Sequence, residues 1–222
     1  MGKCYIFPSI KHREDIMEYL WIRMPLIMSI VGFVAMALCP AVSRRDWTGK
    51  ASPGKTALLI IDIQNDYFPG GRFELFEAVN AADVAKLVLA RFRSIMAPLI
   101  HVRHESDKPG APFFVPGTPG AEINSAVTPA EGETVIIKHE PSSFIGTPLE
   151  DILRKNGVTY LMIVGMQSNV CVKSTALDAV KKNYAVTVVE DAIAARSGEI
   201  HKKAVAEMKT AGVEIVVTDS VR

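Results

Sequence analysis

The sequence has few cysteines, and this scarcity excludes whole classes of protein. Only three cysteines occur in 222 residues, which excludes a small fold held together by disulfides. The spacing of Cys4, Cys39 and Cys171 is not that of a zinc site either. With 49% hydrophobic and 22% charged residues, the chain has enough apolar side chains to build a core, so a disordered chain is also excluded.

The sequence also lacks a strong excess of charge, and the small imbalance divides the chain near residue 50. Residues 1–50 carry seven Lys and Arg against four Asp and Glu, a net charge of +3, whereas the remainder carries 18 against 20, a net charge of −2. A domain of that charge lacks the basic surface that binds nucleic acid, so no nucleic-acid partner is expected. We predict an N-terminal extension over residues 1–50 and one domain over residues 55–222.

The extension contains an uncharged run over residues 24–42. Its length is close to the roughly 20 residues that span a bilayer, and it also suits the apolar region of a secretory signal followed by Ala41-Val42-Ser43. Against this, the segment before it is long and its basic residues are offset by acidic ones. Two interpretations stay open: export or a membrane tether if the segment acts as a signal, and a cytoplasmic protein if the extension is dispensable or translation starts later.

From residue 56 onward, short apolar runs alternate with segments of helical periodicity. The runs suit strands buried on both faces, as in a parallel sheet; they cover residues 57–62, 98–104, 134–139, 160–165, 185–191 and 213–219. The helical segments between them cover residues 80–96, 147–155, 172–182 and 199–210. This alternation predicts a three-layer α/β/α domain with a six-stranded, mostly parallel, Rossmann-like sheet. A long Pro- and Gly-rich stretch, residues 105–133, interrupts the pattern and is expected to be functional.

Ligands of open α/β sheets bind at the carboxyl ends of the strands, and reactive residue types fall there in this sequence. Asp62, Lys138 and Cys171 each follow or end a different predicted strand. A free thiol is only a few per cent thiolate at neutral pH, and a cation such as Lys138 and a helix N-terminus favour the thiolate. Asp62 can accept the thiol proton. Each residue alone has an ordinary structural explanation, but the three together indicate nucleophilic catalysis.

Four short motifs carry a family resemblance. They are Asp62-Ile-Gln-Asn-Asp-Tyr-Phe68, Lys138 followed by Pro141-Ser142-Ser143-Phe144, Gly165-Met-Gln-Ser-Asn-Val-Cys171-Val172, and Asp191-Ala192. In this order and spacing the chain resembles the isochorismatase-like cysteine hydrolases over roughly residues 55–220. The resemblance does not extend to residues 1–50.

The resemblance implies a catalytic triad in which Asp62 moves the proton, Lys138 is the electrostatic partner and Cys171 is the nucleophile. It also implies a cis peptide between Met166 and Gln167, which aims the backbone N–H groups of Gln167 and Cys171 at an oxyanion. Five side chains are candidates for the substrate pocket, although the aromatic ones could equally be core: Tyr67, Phe68, His104, Phe144 and Gln167.

Two departures narrow the expected activity. Nicotinamidases of this superfamily bind a metal through a D-x-H element after the second strand, where this chain has His104-Glu105-Ser106. The chain therefore resembles the metal-independent amidohydrolase branch, with no metal and no cofactor expected, and His104 is predicted to be a hydrogen-bonding pocket residue. True isochorismatases cleave a vinyl ether and lack the cysteine, so Cys171 argues against that reaction.

The sequence thus predicts a hydrolase that cleaves an amide-like C–N bond of a small molecule through a thioester on Cys171. Two alternatives remain: an isochorismatase-type hydrolase of another bond, and a non-catalytic small-molecule-binding module on the same fold. By analogy with the family, a homo-oligomer is expected.

Overall fold

Six parallel strands form a single sheet in the computed structural model, which describes residues 55–220. The order across the sheet is β3-β2-β1-β4-β5-β6, and every pairing is parallel. The strands are β1 (Lys55–Ile61), β2 (Leu99–His104), β3 (Thr134–Lys138), β4 (Val158–Met166), β5 (Ala185–Ala194) and β6 (Glu214–Val216). The six predicted strands are confirmed, and the sheet is entirely parallel rather than mostly so.

Four α-helices connect the strands. They are α1 (Ala78–Ser94), α2 (Leu149–Lys155), α3 (Lys173–Lys181) and α4 (Gly198–Thr210). Local signals set several of their ends: the Ser197 side chain accepts from Ile200 N at the start of α4, and Gly157, with φ of +65°, follows the end of α2. A π-helical turn, Ser168–Val172, leads into α3.

The sheet is buried on both faces, which explains the continuous apolar runs of the sequence. Leu59 and Ile61 contact the core layer formed with α2, α3 and α4, whereas Leu58 and Ile60 contact the layer formed with α1. The result is the predicted three-layer α/β/α domain. The long stretch between β2 and β3 belongs to the α1 side, where Phe114 and Val127 are buried.

The predicted extension lies outside the described residues, and so does its apolar segment, residues 24–42. Export, a membrane tether and the domain boundary near residue 50 therefore stay predictions. Within residues 55–220, no helix combines the length and the apolar character needed to cross a membrane.

Candidate active site

The carboxyl edge of the sheet brings Asp62, Lys138 and Cys171 into contact. Lys138 Nζ lies 2.8 Å from Asp62 Oδ2 and 3.3 Å from Cys171 Sγ. All three are buried, with relative exposures of 0%, 0% and 3% for Asp62, Lys138 and Cys171. The strand that ends in Lys138 is not a neighbour of β1 or β4, because β2 separates β3 from β1. The long lysine side chain crosses the ends of the intervening strands, so the predicted contact forms without adjacent strands.

The backbone is unusual at the points where β1 and β4 end. Asp62 has a φ of +51°, a left-handed conformation that is uncommon for a residue with a Cβ. Gly165 has a φ of +136°, and a Cβ at this position would overlap the carbonyl oxygen of Ile61 on the neighbouring strand. The peptide bond between Met166 and Gln167 is cis, as the family resemblance implied. The two strand ends therefore approach too closely for any residue other than glycine at position 165.

The charges of the three residues depend on one another. Burial raises the pKa of Asp62, but the positive charge of the neighbouring Lys138 ammonium is the main effect that lowers it, and the pKa lies below its usual value. Burial lowers the pKa of Lys138, but the negative charge on Asp62 is the main effect that raises it, and the pKa lies above its usual value. At rest the pair is therefore a carboxylate and an ammonium.

Cys171 is a protonated thiol in this resting state. Burial raises its pKa, the Asp62 carboxylate raises it further, and Lys138 offsets only part of this. Lys138 does lower the Cys171 pKa, as the sequence led us to expect, but burial and Asp62 together raise it more. Asp62 and Lys138 form a close ion pair, but the geometry does not make a directed hydrogen bond. Neither side-chain oxygen of Asp62 has a hydrogen-bond partner among the described residues. Lone pairs of Asp62 remain available for the thiol proton.

His104 completes the cluster from the end of β2. Its Nδ1 lies 2.8 Å from Lys138 Nζ, 3.8 Å from Asp62 Oδ2 and 4.0 Å from Cys171 Sγ. Ligand atoms of Asp62, His104 and Cys171 lie within 4.8 Å of one another, a spacing that could hold a metal ion. The Lys138 ammonium already contacts all three, and like charges would repel an incoming cation. The residues present therefore do not fit a metal at this position.

A cavity of about 380 Å³ opens onto this cluster, within the usual range for small-molecule sites. Of the candidate pocket residues, Tyr67, His104 and Gln167 line it together with Cys171. The other lining residues were not predicted from the sequence, and most of them belong to the long loop and to the segment after β3: Ser106, Asp107, Lys108, Pro112, Phe113, Phe114, His139, Glu140, Pro141 and Val170.

Phe68 and Phe144 are not among the residues that line this cavity. Phe68 packs against the core layer on the α1 side. Phe144 packs against the opposite core layer, where its ring stacks on Tyr184 at a centroid distance of 6.0 Å. Both aromatics therefore serve packing, the alternative that the sequence analysis left open for them.

The residues after Asp62 organise the loop that walls the cavity. Gln64 binds the end of β2, because its Nε2 donates to His104 O at 2.8 Å and its Oε1 accepts from His104 N at 2.7 Å. Asp66 Oδ2 accepts from Phe114 N at 2.7 Å, and Asn65 Nδ2 donates to Pro119 O at 2.8 Å. The motif was recognised in the sequence, but these positioning roles were not, since the partners lie 40 to 57 residues away.

Residues of two other motifs also form hydrogen bonds with distant parts of the chain. Thr175 Oγ1 of α3 accepts from Ser143 N at 3.0 Å, which ties the segment after Lys138 to the helix that follows Cys171. Asp191 accepts from Thr218 N at 3.0 Å, so it fixes the turn after β6. Gln167 Nε2 donates to Tyr67 OH at 3.1 Å across the cavity wall. The role of the Gln167 and Cys171 amides toward an oxyanion stays a prediction.

Comparisons with known proteins agree with this geometry. Residues 56–220 match the isochorismatase domain family. The uncharacterized isochorismatase family protein YddQ of Bacillus subtilis is 46% identical over 150 residues, covering 68% of this chain and 83% of that protein. The nicotinamidase/pyrazinamidase of Mycobacterium tuberculosis is 31% identical over 185 residues, covering 72% of this chain and 97% of that enzyme.

Solved structures give the same result. An isochorismatase family protein from Desulfovibrio vulgaris superposes with a TM-score of 0.72 at 34% identity, covering 75% of this chain and 96% of that one. N-carbamoylsarcosine amidase from Thermoplasma acidophilum superposes with a TM-score of 0.68 at 32% identity, covering 74% and 97%. The fold and site thus define a hydrolase with a three-layer α/β/α fold and a buried acid, lysine and cysteine. The chain belongs to the isochorismatase family, which confirms the resemblance found in the motifs.

Proposed function

We propose that this hydrolase cleaves an amide-like C–N bond of a small molecule through a thioester on Cys171. The observation that carries the proposal is the buried contact of the Lys138 ammonium with both Asp62 and Cys171 at the wall of a cavity. An acid, a cation and a thiol in mutual contact are the groups that acyl transfer needs. The protonated resting thiol fits a mechanism in which Asp62 is the base.

In the first half of the reaction, Asp62 takes the thiol proton as the sulfur attacks the amide carbonyl carbon. A C–S bond forms, and the electron pair of the C=O bond moves onto oxygen. The backbone N–H groups of Gln167 and Cys171 bind this oxyanion, and Lys138 remains beside the carboxyl group and the sulfur. Preorganised donors of this kind are worth roughly a few kcal/mol of barrier each.

In the second half, the oxyanion collapses and the C–N bond breaks. Asp62 returns its proton to the departing nitrogen, which leaves as an amine or ammonia, and the acyl group remains on sulfur. Asp62 then takes a proton from water while the water oxygen attacks the thioester. Breakage of the C–S bond releases the acid, and the sulfur recovers a proton from Asp62, so the enzyme returns to its starting state.

Two named relatives support a C–N bond as the target. The similar chains include a nicotinamidase/pyrazinamidase and an N-carbamoylsarcosine amidase. A panel of nicotinamide, pyrazinamide, N-carbamoyl amino acids and simple ureas therefore samples the chemistry best. The cavity of about 380 Å³ is large enough for molecules of this size.

The test is release of ammonia or amine from this panel by the full chain, with and without Cys171→Ala. We expect turnover of at least one compound and loss of all of it in the variant. Acid quenching during turnover should trap an acyl adduct on the Cys171 peptide, detected by mass spectrometry. Cys39→Ala is the matched control, since it removes another cysteine and should leave turnover unchanged.

Three outcomes would contradict the proposal. Turnover that survives Cys171→Ala excludes a thioester on this residue. Saturable binding of the panel without product formation by the wild-type chain favours the non-catalytic binding module instead. Hydrolysis that releases no nitrogen product would favour a family hydrolase of another bond.

A further inference from the structure

The Lys138 ammonium has more acceptors around it than it has hydrogens. An ammonium carries three N–H donors. Four groups lie within reach of Lys138 Nζ: Asp62 Oδ2 at 2.8 Å, His104 Nδ1 at 2.8 Å, the backbone oxygen of Glu140 at 3.0 Å and Cys171 Sγ at 3.3 Å. The mechanism above uses Asp62 and Cys171 only. The other two contacts need a separate explanation.

We propose that His104 is a positioning residue that directs the Lys138 ammonium. His104 Nδ1 and Glu140 O hold two of the three N–H groups, so the third is left for the negative charge. At rest that charge is on Asp62, which attracts the ammonium without a directed hydrogen bond. The third N–H is directed at Cys171 Sγ, which becomes negative once its proton has moved. The inference rests on the proposed function, since only a reaction moves this charge.

The fold holds His104 rigidly for this task. Its backbone is bound on both sides by the Gln64 amide, and its position in β2 pairs in register with Lys138 in β3. The ring lies 5.7 Å from the ring of Phe114, and the His104 side chain is only 18% exposed. A side chain fixed in this way can hold an ammonium to a fraction of an ångström.

The contact also fixes the protonation of the ring. Lysine is a donor only, so His104 Nδ1 has to accept and Nε2 has to carry the hydrogen. An imidazolium could not accept this bond and would repel Lys138. The charged and titratable groups that face the ring are Asp62 from the end of β1, Lys138 from β3 and Cys171 from the turn after β4.

The first test needs no substrate. Long-range ¹H–¹⁵N correlation spectra of the full chain separate the two neutral tautomers of histidine, and comparison with His104→Asn assigns the signal among five histidines. We expect the tautomer with hydrogen on Nε2. A hydrogen on Nδ1 would overturn the proposal, because that atom could not then accept from Lys138.

The second test compares two substitutions at the same position. His104→Asn places an amide oxygen near the position of Nδ1 and cannot be protonated, whereas His104→Leu removes the acceptor. We expect kcat of His104→Leu to fall about 100-fold, in keeping with the cost of a misplaced catalytic group, with a smaller change in KM. His104→Asn should stay within about tenfold of wild type. His201→Asn is the matched control, remote from this cavity.

The outcomes separate this inference from the proposed function. A wild-type chain that hydrolyses no amide refutes the proposed function, while the tautomer experiment still decides the contact of His104 with Lys138. If the wild type is active and His104→Leu has the same kcat, the positioning role is refuted but the proposed function is not. Equal losses in the Leu and Asn variants, both folded by thermal melting, would also refute it, since the acceptor would then be irrelevant.

Discussion

At the scale of single residues, the unexpected feature is the protonated state of Cys171. A lysine beside a cysteine usually indicates a low thiol pKa, but here Lys138 also contacts a carboxylate. Burial raises the Cys171 pKa, and because Asp62 and Lys138 form a buried pair, the carboxylate also outweighs the effect of the cation on the thiol. In the proposed mechanism, the thiolate therefore forms only when Asp62 takes the proton of Cys171.

This arrangement predicts that Asp62→Asn activates Cys171 toward alkylation while it abolishes turnover. Removing the carboxylate removes one cause of the raised Cys171 pKa and leaves the Lys138 cation unopposed, so the thiolate fraction rises. Lys138→Met should do the opposite and slow alkylation. The measurement is the iodoacetamide rate at the Cys171 peptide by mass spectrometry, beside kcat, which should fall at least about 1000-fold in Asp62→Asn. Identical alkylation rates in all three proteins would show that these charges do not act on the thiol.

The sequence predicted the role of a site residue only where its position beside a predicted strand was enough to place it in the site. Asp62, Lys138 and Cys171 could be predicted because each follows or ends a strand and parallel strands share an edge. The positions of Phe68 and Phe144 could not, because an aromatic near a strand end serves a pocket or a core equally well. The roles of Gln64 and Asp66 depend on partners in a loop without periodic pattern, so no local signal identified them.

At the scale of elements, the strands were predictable because burial on both faces removes polar residues from them. The ends of the strands were less predictable. β5 continues past Asp191 to Ala194, and β6 stops at Val216, since Thr218 turns back to bond with Asp191. The helix ends deviate from prediction by at most two residues, as is usual for frayed termini.

The close approach of β1 and β4 makes Gly165 a sensitive position. Gly165→Ala would force a Cβ onto the Ile61 carbonyl and impose a positive φ, so we expect a loss of at least about 3 kcal/mol of unfolding free energy. Gly157→Ala is the matched control: its φ is also positive, at +65°, but a Cβ there meets nothing within 4 Å. It should cost about 1 kcal/mol. Urea unfolding measures both, and equal losses would show that the strand contact is unimportant.

Glu133 immediately precedes β3, at the end of that strand away from Lys138, and connects α1, β2 and the loop before β3. It accepts from Arg93 of α1, contacts His101 of β2 at 2.9 Å and accepts from Ala130 N. The hydrogen bond from Arg93 is the main cause that lowers the pKa of Glu133 to about 2. A lowered carboxyl pKa stabilises the fold above the unfolded value near 4.5, and this contribution is lost as the pH falls toward 2.

Glu133→Gln should therefore reduce the free energy of unfolding at pH 7 by about 1–2 kcal/mol, allowing for the partly exposed Arg93. The difference from wild type should shrink as the pH is lowered below 4.5, where the carboxylate begins to protonate in the unfolded chain. Urea unfolding at a series of pH values measures it. Glu131→Gln, an exposed neighbour, should show no such trend. A pH-independent difference would assign the loss to packing instead of charge.

At the scale of the whole molecule, all three residues of the proposed triad lie in the part that matches the family, residues 56–220. The charge of +3 over residues 1–50 and −2 beyond them marks the same division. We propose that the apolar segment, residues 24–42, addresses the protein to a membrane or to export and contributes nothing to catalysis.

Deleting residues 1–43 should accordingly leave kcat within about twofold of the full chain while it removes any membrane-bound fraction. Cell fractionation followed by activity assays of both forms measures this. A soluble full chain would refute the membrane tether, whereas a truncated protein that folds but loses activity would show that the extension takes part in the reaction.

The position of β3 has a consequence for inactivation by heat. Lys138 is the last residue of the strand at the outer edge of the described sheet, and that strand pairs with β2 alone. Edge strands open at lower free energies than central ones, through local unfolding that leaves the rest of the domain intact. Each such opening withdraws the ammonium from the reacting groups. The enzyme should therefore lose activity at temperatures where most amide hydrogens in β1 and β4 are still protected from exchange.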